Sequence, residues 1–479
     1  MKMMSKQQRL HPAAILFNFF KVIRESLFII ILGFITFRDN NSTYFILGIS
    51  ILIILLAAYS VASWYRYTYR VEEEELRVEY GIVIRKKRYI SINRIQSIDL
   101  TAGVIHRIFK LVKVQIETAG SGTGAEAALK AVKLSEGERL RSELKNRNKQ
   151  KEVEVEEEES ETPAYPFYKI SFKRLFLAGS TSSSIGIMLA FLLIGVSELE
   201  QFIPDRFYNN AMTWVIGLSI IIIAGLALLV LFILWVLGIA GTMIKYGNFT
   251  ITKNNEELFI TRGLLEKKQL TIPLNRIQAV GIQESIIRQP LGYVTVFAEI
   301  AGGSLDKGED FSTVLFPIMR AEEVEGFLQE LLPSYAKQPD EFTRLPKRAR
   351  KFYLFRTVIP MVLIGAVIAY FFPQFSWIPI ILLIGSLYLG LLRYWAGGYY
   401  LEDNHLIIRY RGFSKMTMVI YHNRIQSFET TQHKIQKFQK LATMKLSIIG
   451  KLGAGRHYTI KDLDEVDADK LMNWYSYQD

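Results

Sequence analysis

Cysteine is absent from the 479-residue chain. No disulfide framework, thiolate zinc site or cysteine nucleophile is therefore possible, and the composition suits a reducing compartment. Histidine is scarce. His11, His106, His405, His422, His433 and His457 are the whole set, and no HExxH or other paired-ligand spacing joins them. No Gly-x-Ser-x-Gly elbow is present, and no small-x-small cleavage pattern follows the first apolar run. Neither a cofactor nor an enzymatic activity is expected. Acidic charge is in deficit: 46 Asp and Glu stand against 58 Lys and Arg, a net +12. In a soluble protein that balance would suggest nucleic acid. Here 50% of the residues are hydrophobic, mean hydropathy is +0.17, and charge is segregated from long uncharged runs. The basic excess is therefore read as Lys and Arg held on the cytoplasmic side of a membrane, with no nucleic-acid partner.

A hydrocarbon core of roughly 30 Å needs about 20 apolar residues in a helix. Residues 44–63, 175–197, 211–244, 357–372 and 375–392 carry no charge. The stretch 15–37 is interrupted by Lys21, Arg24 and Glu25, so it crosses only if its basic side chains snorkel to the inner interface. Six spans in three pairs are expected. The run 211–244 exceeds the membrane thickness and should tilt or continue into the cytoplasm.

A four-residue stretch follows each pair. It reads Asn93-Arg94-Ile95-Gln96, then Asn275-Arg276-Ile277-Gln278, then Asn423-Arg424-Ile425-Gln426. A Leu stands 17 residues before each copy (Leu76, Leu258, Leu406), and a Gly stands 27 residues after it (Gly120, Gly302, Gly450). Shared spacing of this kind marks an internal repeat. Around the first copy, Leu76, Val78 and Tyr80 alternate with charged residues, Gly81 turns the chain, and Ile82 to Ile84 start a return strand. Val112, Val114 and Ile116 form a further strand, and 134–148 reads as a closing helix. Closing helices are also expected at 321–332, ended by Pro333, and at 466–477. The chain thus divides into a transmembrane pair at 1–63, a β-rich module at 64–150, an acidic linker at 151–174, a second pair at 175–244 and a second module at 245–335. A basic linker at 336–356, a third pair at 357–392 and a third module at 393–479 complete it. The three external loops hold two basic residues, Arg38 and Arg206, and the other 56 lie on or at the border of the opposite side. That asymmetry places both termini and all three modules in the cytoplasm.

The pattern of hairpin, Asn-Arg-Ile-Gln, strand and Ala-Gly after a transmembrane pair resembles the bacterial pleckstrin-homology-like family, type 2. Three modules, each with its own pair, resemble the YdbT-type multipass proteins. The resemblance covers nearly the whole chain. It implies a membrane α + β architecture in which each module is a bent antiparallel β-sandwich closed by a C-terminal helix. It also implies a smaller one-module membrane partner and a link to tolerance of membrane-active bacteriocins. It supplies no catalytic residue.

The residues themselves give the motif a structural reading. Ile faces the core, Asn and Gln tie backbone at a turn, and Arg pairs with a carboxylate across the module. The competing reading has Arg presenting charge to anionic headgroups or to a partner. The Gly-rich stretches 120–124 and 450–455 lack the Lys-Ser/Thr of a phosphate loop and fall between strands, so they read as hairpin loops. The function expected is a non-enzymatic scaffold of the bacterial plasma membrane. Membrane lipids, a one-module protein and other copies of the chain are its candidate partners. A transporter is the alternative, kept open by Pro360 and Pro379.

Overall fold

The computed structural model describes residues 7–36, 42–72, 74–118, 127–149, 166–182, 220–301, 312–337, 339, 341–450 and 455–476. One unit of seven strands recurs three times. The first module contains β1 (Gln8–Arg9), β2 (Thr68–Val71), β3 (Glu75–Tyr80) and β4 (Lys86–Ser91), then β5 (Ile95–Ala102), β6 (Leu111–Thr118) and β7 (Ala127–Lys133). Between β1 and β2 the chain runs through α1 (Ala14–Thr36) and α2 (Ser42–Arg66). A short α3 (Val104–Ile108) joins β5 to β6, and α4 (Leu134–Lys149) closes the module.

The second module repeats this order. It comprises β8 (Phe167–Lys169), α5 (Phe172–Ser180), α6 (Ile220–Tyr246), β9 (Thr250–Asn254), β10 (Glu257–Arg262) and β11 (Lys267–Pro273). Then come β12 (Ile277–Glu284), β13 (Tyr293–Ile300), β14 (Thr313–Arg320) and α7 (Val324–Leu331). The third comprises β15 (Thr343–Arg344), α8 (Arg350–Phe371), α9 (Trp377–Ala396), β16 (Gly398–Glu402), β17 (His405–Arg411) and β18 (Lys415–Tyr421). It ends with β19 (Ile425–Thr431), α10 (Lys434–Phe438), β20 (Leu441–Ile449), β21 (Gly455–Asp464) and α11 (Glu465–Ser476). All sheets are antiparallel, and the helix that closes each module is where the sequence places it.

Among the described residues, four helical stretches are long and apolar enough to cross a membrane: Ile46–Arg66, Ala224–Tyr246, Lys347–Phe371 and Trp377–Ala396. Most of the expected span 175–197 lies outside the described residues. The start of α1 belongs to the first module. Ala14 is fully buried there, Asn18 accepts from Lys130 Nζ at 2.7 Å, and the Phe17 ring stacks on His106. This explains why the first apolar run is short and broken by charge. Small residues close the helix pairs. A Cβ on Gly390 would lie 2.5 Å from Thr357 Oγ1, and one on Gly179 would lie 2.8 Å from the Ile239 Cα.

Two features depart from the sequence reading. Short strands β1, β8 and β15 precede each helix pair and complete the sheet beyond it, pairing with β2, β9 and β16. Two or three residues are too few to show a period. The return strand also starts late. Gly81 turns at φ +105°, but residues 82–84 form a loop and β4 begins at Lys86. Val83 is consequently 94% exposed.

The modules are joined through their sheets. The strand order in one sheet is β7-β6-β5-β11-β10-β9-β8, and in the next β14-β13-β12-β18-β17-β16-β15. The second sheet of each module thus continues into the first sheet of the following one. Packing follows at the second junction. Ala279 and Phe297 belong to the third module's core, and Ile407 and Val419 to the second's.

Candidate functional site at the module junctions

In every module the Asn-Arg-Ile-Gln motif occupies the corner where the chain leaves the first sheet for the second. Its Asn and Arg end a tight 3-10 turn: Ile92–Arg94, Leu274–Arg276 and His422–Arg424. The turn is tied back to the residue just before the first strand of the hairpin (β3, β10 or β17). Ile92 N donates to Glu74 O, Leu274 N to Glu256 O and His422 N to Asn404 O, at 2.8 to 3.0 Å. The upstream Leu residues stand opposite Ile in the adjoining strand: Leu76 to Ile90, Leu258 to Ile272, Leu406 to Ile420. All three Leu side chains are fully buried. The downstream spacing has an equally direct cause in the second module. Arg276 Nε and one terminal nitrogen donate to Ala301 O at 2.9 and 2.6 Å, while Ala301 N donates to Arg276 O at 2.9 Å.

The motif residues do not all take the places expected of them. Ile277 and Ile425 are buried, and Ile95 is half-buried. Asn93, Asn275 and Asn423 are exposed, as is Gln426, and Gln96 is half-buried. Gln278 is buried, and its amide reaches Arg276 O at 3.3 Å. Arg276 finds its carboxylate outside its own module. Its guanidinium lies 3.8 Å from Glu117, at the end of β6 in the preceding module. Ser97 Oγ donates to the same carboxylate at 2.8 Å. Burial pulls the Arg276 pKa below its usual range, and Glu117 and Asp99 oppose that pull. The reason is positional, because each motif faces the module before it. Arg94, in the first of the three modules, is exposed. Arg424 meets the phenol of Tyr335, whose pKa burial raises to about 12 against the opposing charge of Arg424.

Both junctions use one register. Leu100 and Ala102 of β5 pair with Gln269 and Lys267 of β11. Ile282 and Glu284 of β12, at the same repeat positions, pair with Thr417 and Lys415 of β18. Two edges are left over. Among the described residues, β4 ends the first sheet and β19 ends the last. These are the repeat equivalents of the strands that pair at each junction.

A further shared position was missed from sequence. His106, Arg288 and Gln436 each stand 13 residues after the motif Asn. Each ties the β5–β6-type connection to the first helix of its pair or to the strands beside it. His106 stacks on Phe17 of α1 at 4.0 Å, and its Nε2 lies 2.9 Å from Lys130 O. Arg288 donates to Ala178 O and Thr181 Oγ1, at the end of α5, both at 2.9 Å. Gln436 donates to Asp462 at 2.6 Å, and Asp462 accepts twice from Arg356 of α8 at 2.6 and 3.0 Å. An Ile precedes each of the three polar residues (Ile105, Ile287, Ile435), and aligning the repeats on the motif exposes that pair.

The hairpin tips lie beside the same helix ends. Leu264 N donates to Ile244 O of α6, and Arg393 Nε of α9 donates to Gly412 O. Tips and connections alike leave apolar side chains outward, including Ile84, Ile108, Ile287, Phe413 and Phe438. Among the described residues, no group of three or more His, Cys, Asp or Glu could hold a metal ion.

These features define a membrane-attached array of PH-like modules, and comparison with known proteins gives the family. The Bacterial PH domain family matches the chain three times, at residues 26–148, 198–332 and 356–479. The chain belongs to that family. It is 36% identical, over 99% of both chains, to the UPF0699 transmembrane protein YdbT of Bacillus subtilis (strain 168).

Proposed function

We propose that the chain is a non-enzymatic, multipass scaffold of the bacterial plasma membrane that builds an array of PH-like modules on the cytoplasmic face. The observation that carries this is the repeated edge-to-edge join with one register, ending in an open β19 edge. An open strand edge is a template for another strand. The expected occupant is a module of a smaller, one-module membrane protein. Glu117 and Glu299 occupy the same repeat position and are buried at the two internal junctions, but that position in the third module is Ser447. The third module thus offers an incoming module no carboxylate at the place where Glu117 meets Arg276.

Six spans with both termini inside are supported by strand pairing. β1 pairs with β2 across α1 and α2, so a chain that leaves the module through one helix must return through the other. The same logic applies to β8 with β9 and to β15 with β16. Charge asymmetry then puts the basic side inside. The transport alternative gains nothing from its prolines. α8 continues through Pro360, and Pro379 falls in the first turn of α9, where a missing N–H costs little.

The role proposed for the array is protection of the envelope against membrane-active peptides. Deleting the gene and challenging cells with a panel of such peptides tests it. Hypersensitivity rescued by the wild-type chain, but not by an Arg94/Arg276/Arg424→Ala variant of equal membrane level, supports both the role and the junctions. Unchanged sensitivity contradicts the protective role.

A further inference from the structure

We infer that the first junction carries a binding site for a phosphate-bearing amphiphile, with the anionic group held between modules one and two and the apolar part directed toward the membrane. A pocket of about 750 Å³ opens there, within the size of ordinary small-ligand sites. Arg107, Lys110, Lys133 and Lys267 line it against a single carboxylate, Glu138. Its floor is apolar, formed by the buried Leu100, Leu111 and Val112. Phe109 and Leu134 line it as well, and both are exposed. Among the described residues, no carboxylate ion-pairs with Lys110, Lys133 or Lys267.

The second junction provides an internal comparison, because it has the same fold and register with less positive charge: Arg320 and Lys415 stand where Lys133 and Lys267 do, but the other two cations are lost. There Gln289 replaces Arg107, Gly292 replaces Lys110, and Glu284 replaces Ala102. Glu284 forms an ion pair with Lys415, the equivalent of Lys267, at 2.8 Å. The fold therefore does not require Arg107 and Lys110 at the first junction. Lys110 also holds φ +53°, a conformation that suits the Gly found at the equivalent position. Lys440, at the same position of the third module, holds φ +49° as well, so this conformation belongs to the repeat and not to the junction.

Membrane proximity selects an amphiphile. Arg107 donates to Leu264 O, and Leu264 N donates to Ile244 O at 3.0 Å near the end of α6. The pocket rim is thus one residue from a membrane-spanning helix. A phosphate diester at the inner interface would meet four cations, and its chains could follow Phe109 and Leu134 outward. The direction of the chains rests on the membrane placement proposed above, whereas the anion site does not.

The test uses the full chain, purified in neutral detergent. Affinity is measured by titrating short-chain phosphatidylglycerol, short-chain phosphatidylcholine and inorganic phosphate separately. The variant Ala102→Glu/Arg107→Gln/Lys110→Gly copies the residues of the second junction, and Lys133→Glu is a second, single exposed change. Saturable binding of phosphatidylglycerol but not phosphatidylcholine, weakened about tenfold or more in both variants, is the expected result. Equal affinity for inorganic phosphate would support the anion site and make a soluble phosphate compound its ligand. No saturable binding of either anion, or unchanged binding in both variants, would overturn the inference. Detergent removes the bilayer, so an error in membrane sidedness leaves this result intact.

Discussion

Glu117 of the first module and Arg276 of the second lie 3.8 Å apart with both side chains about nine-tenths buried. The pair joins two β-sandwiches that are separated in the chain by a linker and a helix pair. Arg276 also holds Ala301 of its own module. One side chain therefore links the corner of a module to the end of its own second sheet and to its neighbour. Removing one partner of a buried pair leaves the other without compensation, which typically costs about 3 kcal/mol or more. Glu117→Ala should lower the apparent unfolding midpoint accordingly. Ser447→Ala, at the same repeat position in the third module, should cost about 1 kcal/mol, since it removes only a hydroxyl bond to Ser427. Thermal unfolding of the purified chain in detergent compares the two.

Much of this was legible in the spacing. The constant interval to Leu76, Leu258 and Leu406 arises because those side chains stand opposite Ile in a core hairpin. The interval to the downstream Gly arises because Arg276 and Ala301 bond each other reciprocally. Periodicity and caps placed the closing helices, because α4, α7 and α11 each follow a strand abruptly. The junctions were not legible. Strands from different modules meet there, and nothing local in 267–269 or 415–420 states which distant strand they will face. β1, β8 and β15 were hidden for a different reason, being too short to carry alternation.

Gly281 lies where β12 faces β18. A Cβ there would come 2.2 Å from Phe297 Cζ and 2.6 Å from Met418 Sδ. Gly281→Val should force the second junction apart. Limited proteolysis should then cut near residues 412–420 at least several-fold faster than in wild type, while the first junction keeps its rate.

Asp462 is fully buried at φ +58° and accepts from Arg356 and Gln436. Asn tolerates the same backbone conformation, so Asp462→Asn removes charge without adding backbone strain. The charge-assisted bonds to α8 are worth about 2 kcal/mol. The variant should lower the unfolding free energy by about 2 kcal/mol, read in a denaturant titration, and Gln436→Ala should reproduce part of the loss.

His405 is packed beside Glu402, Lys337, Asp403 and Tyr421. Burial pushes its pKa below 6.5 despite the opposing pull of Glu402. The unfolded chain therefore binds a proton more readily than the folded one. The stability this residue supports is complete above about pH 6.5 and is lost as pH falls toward the depressed folded value. Between pH 7 and about 5.5 the unfolding midpoint of wild type should fall more than that of His405→Gln. Equal slopes would remove His405 from the account.

Hydrogen exchange of the full chain, read strand by strand, tests the continuous array most directly. Interior strands are bonded on both sides and open only with larger unfolding. The account predicts that β5, β11, β12 and β18 exchange as slowly as β6 and β13, while β4 and β19 keep a fast-exchanging outer edge in the isolated chain. Exchange in β11 and β18 as fast as in β4 would contradict the edge-to-edge joining of the modules.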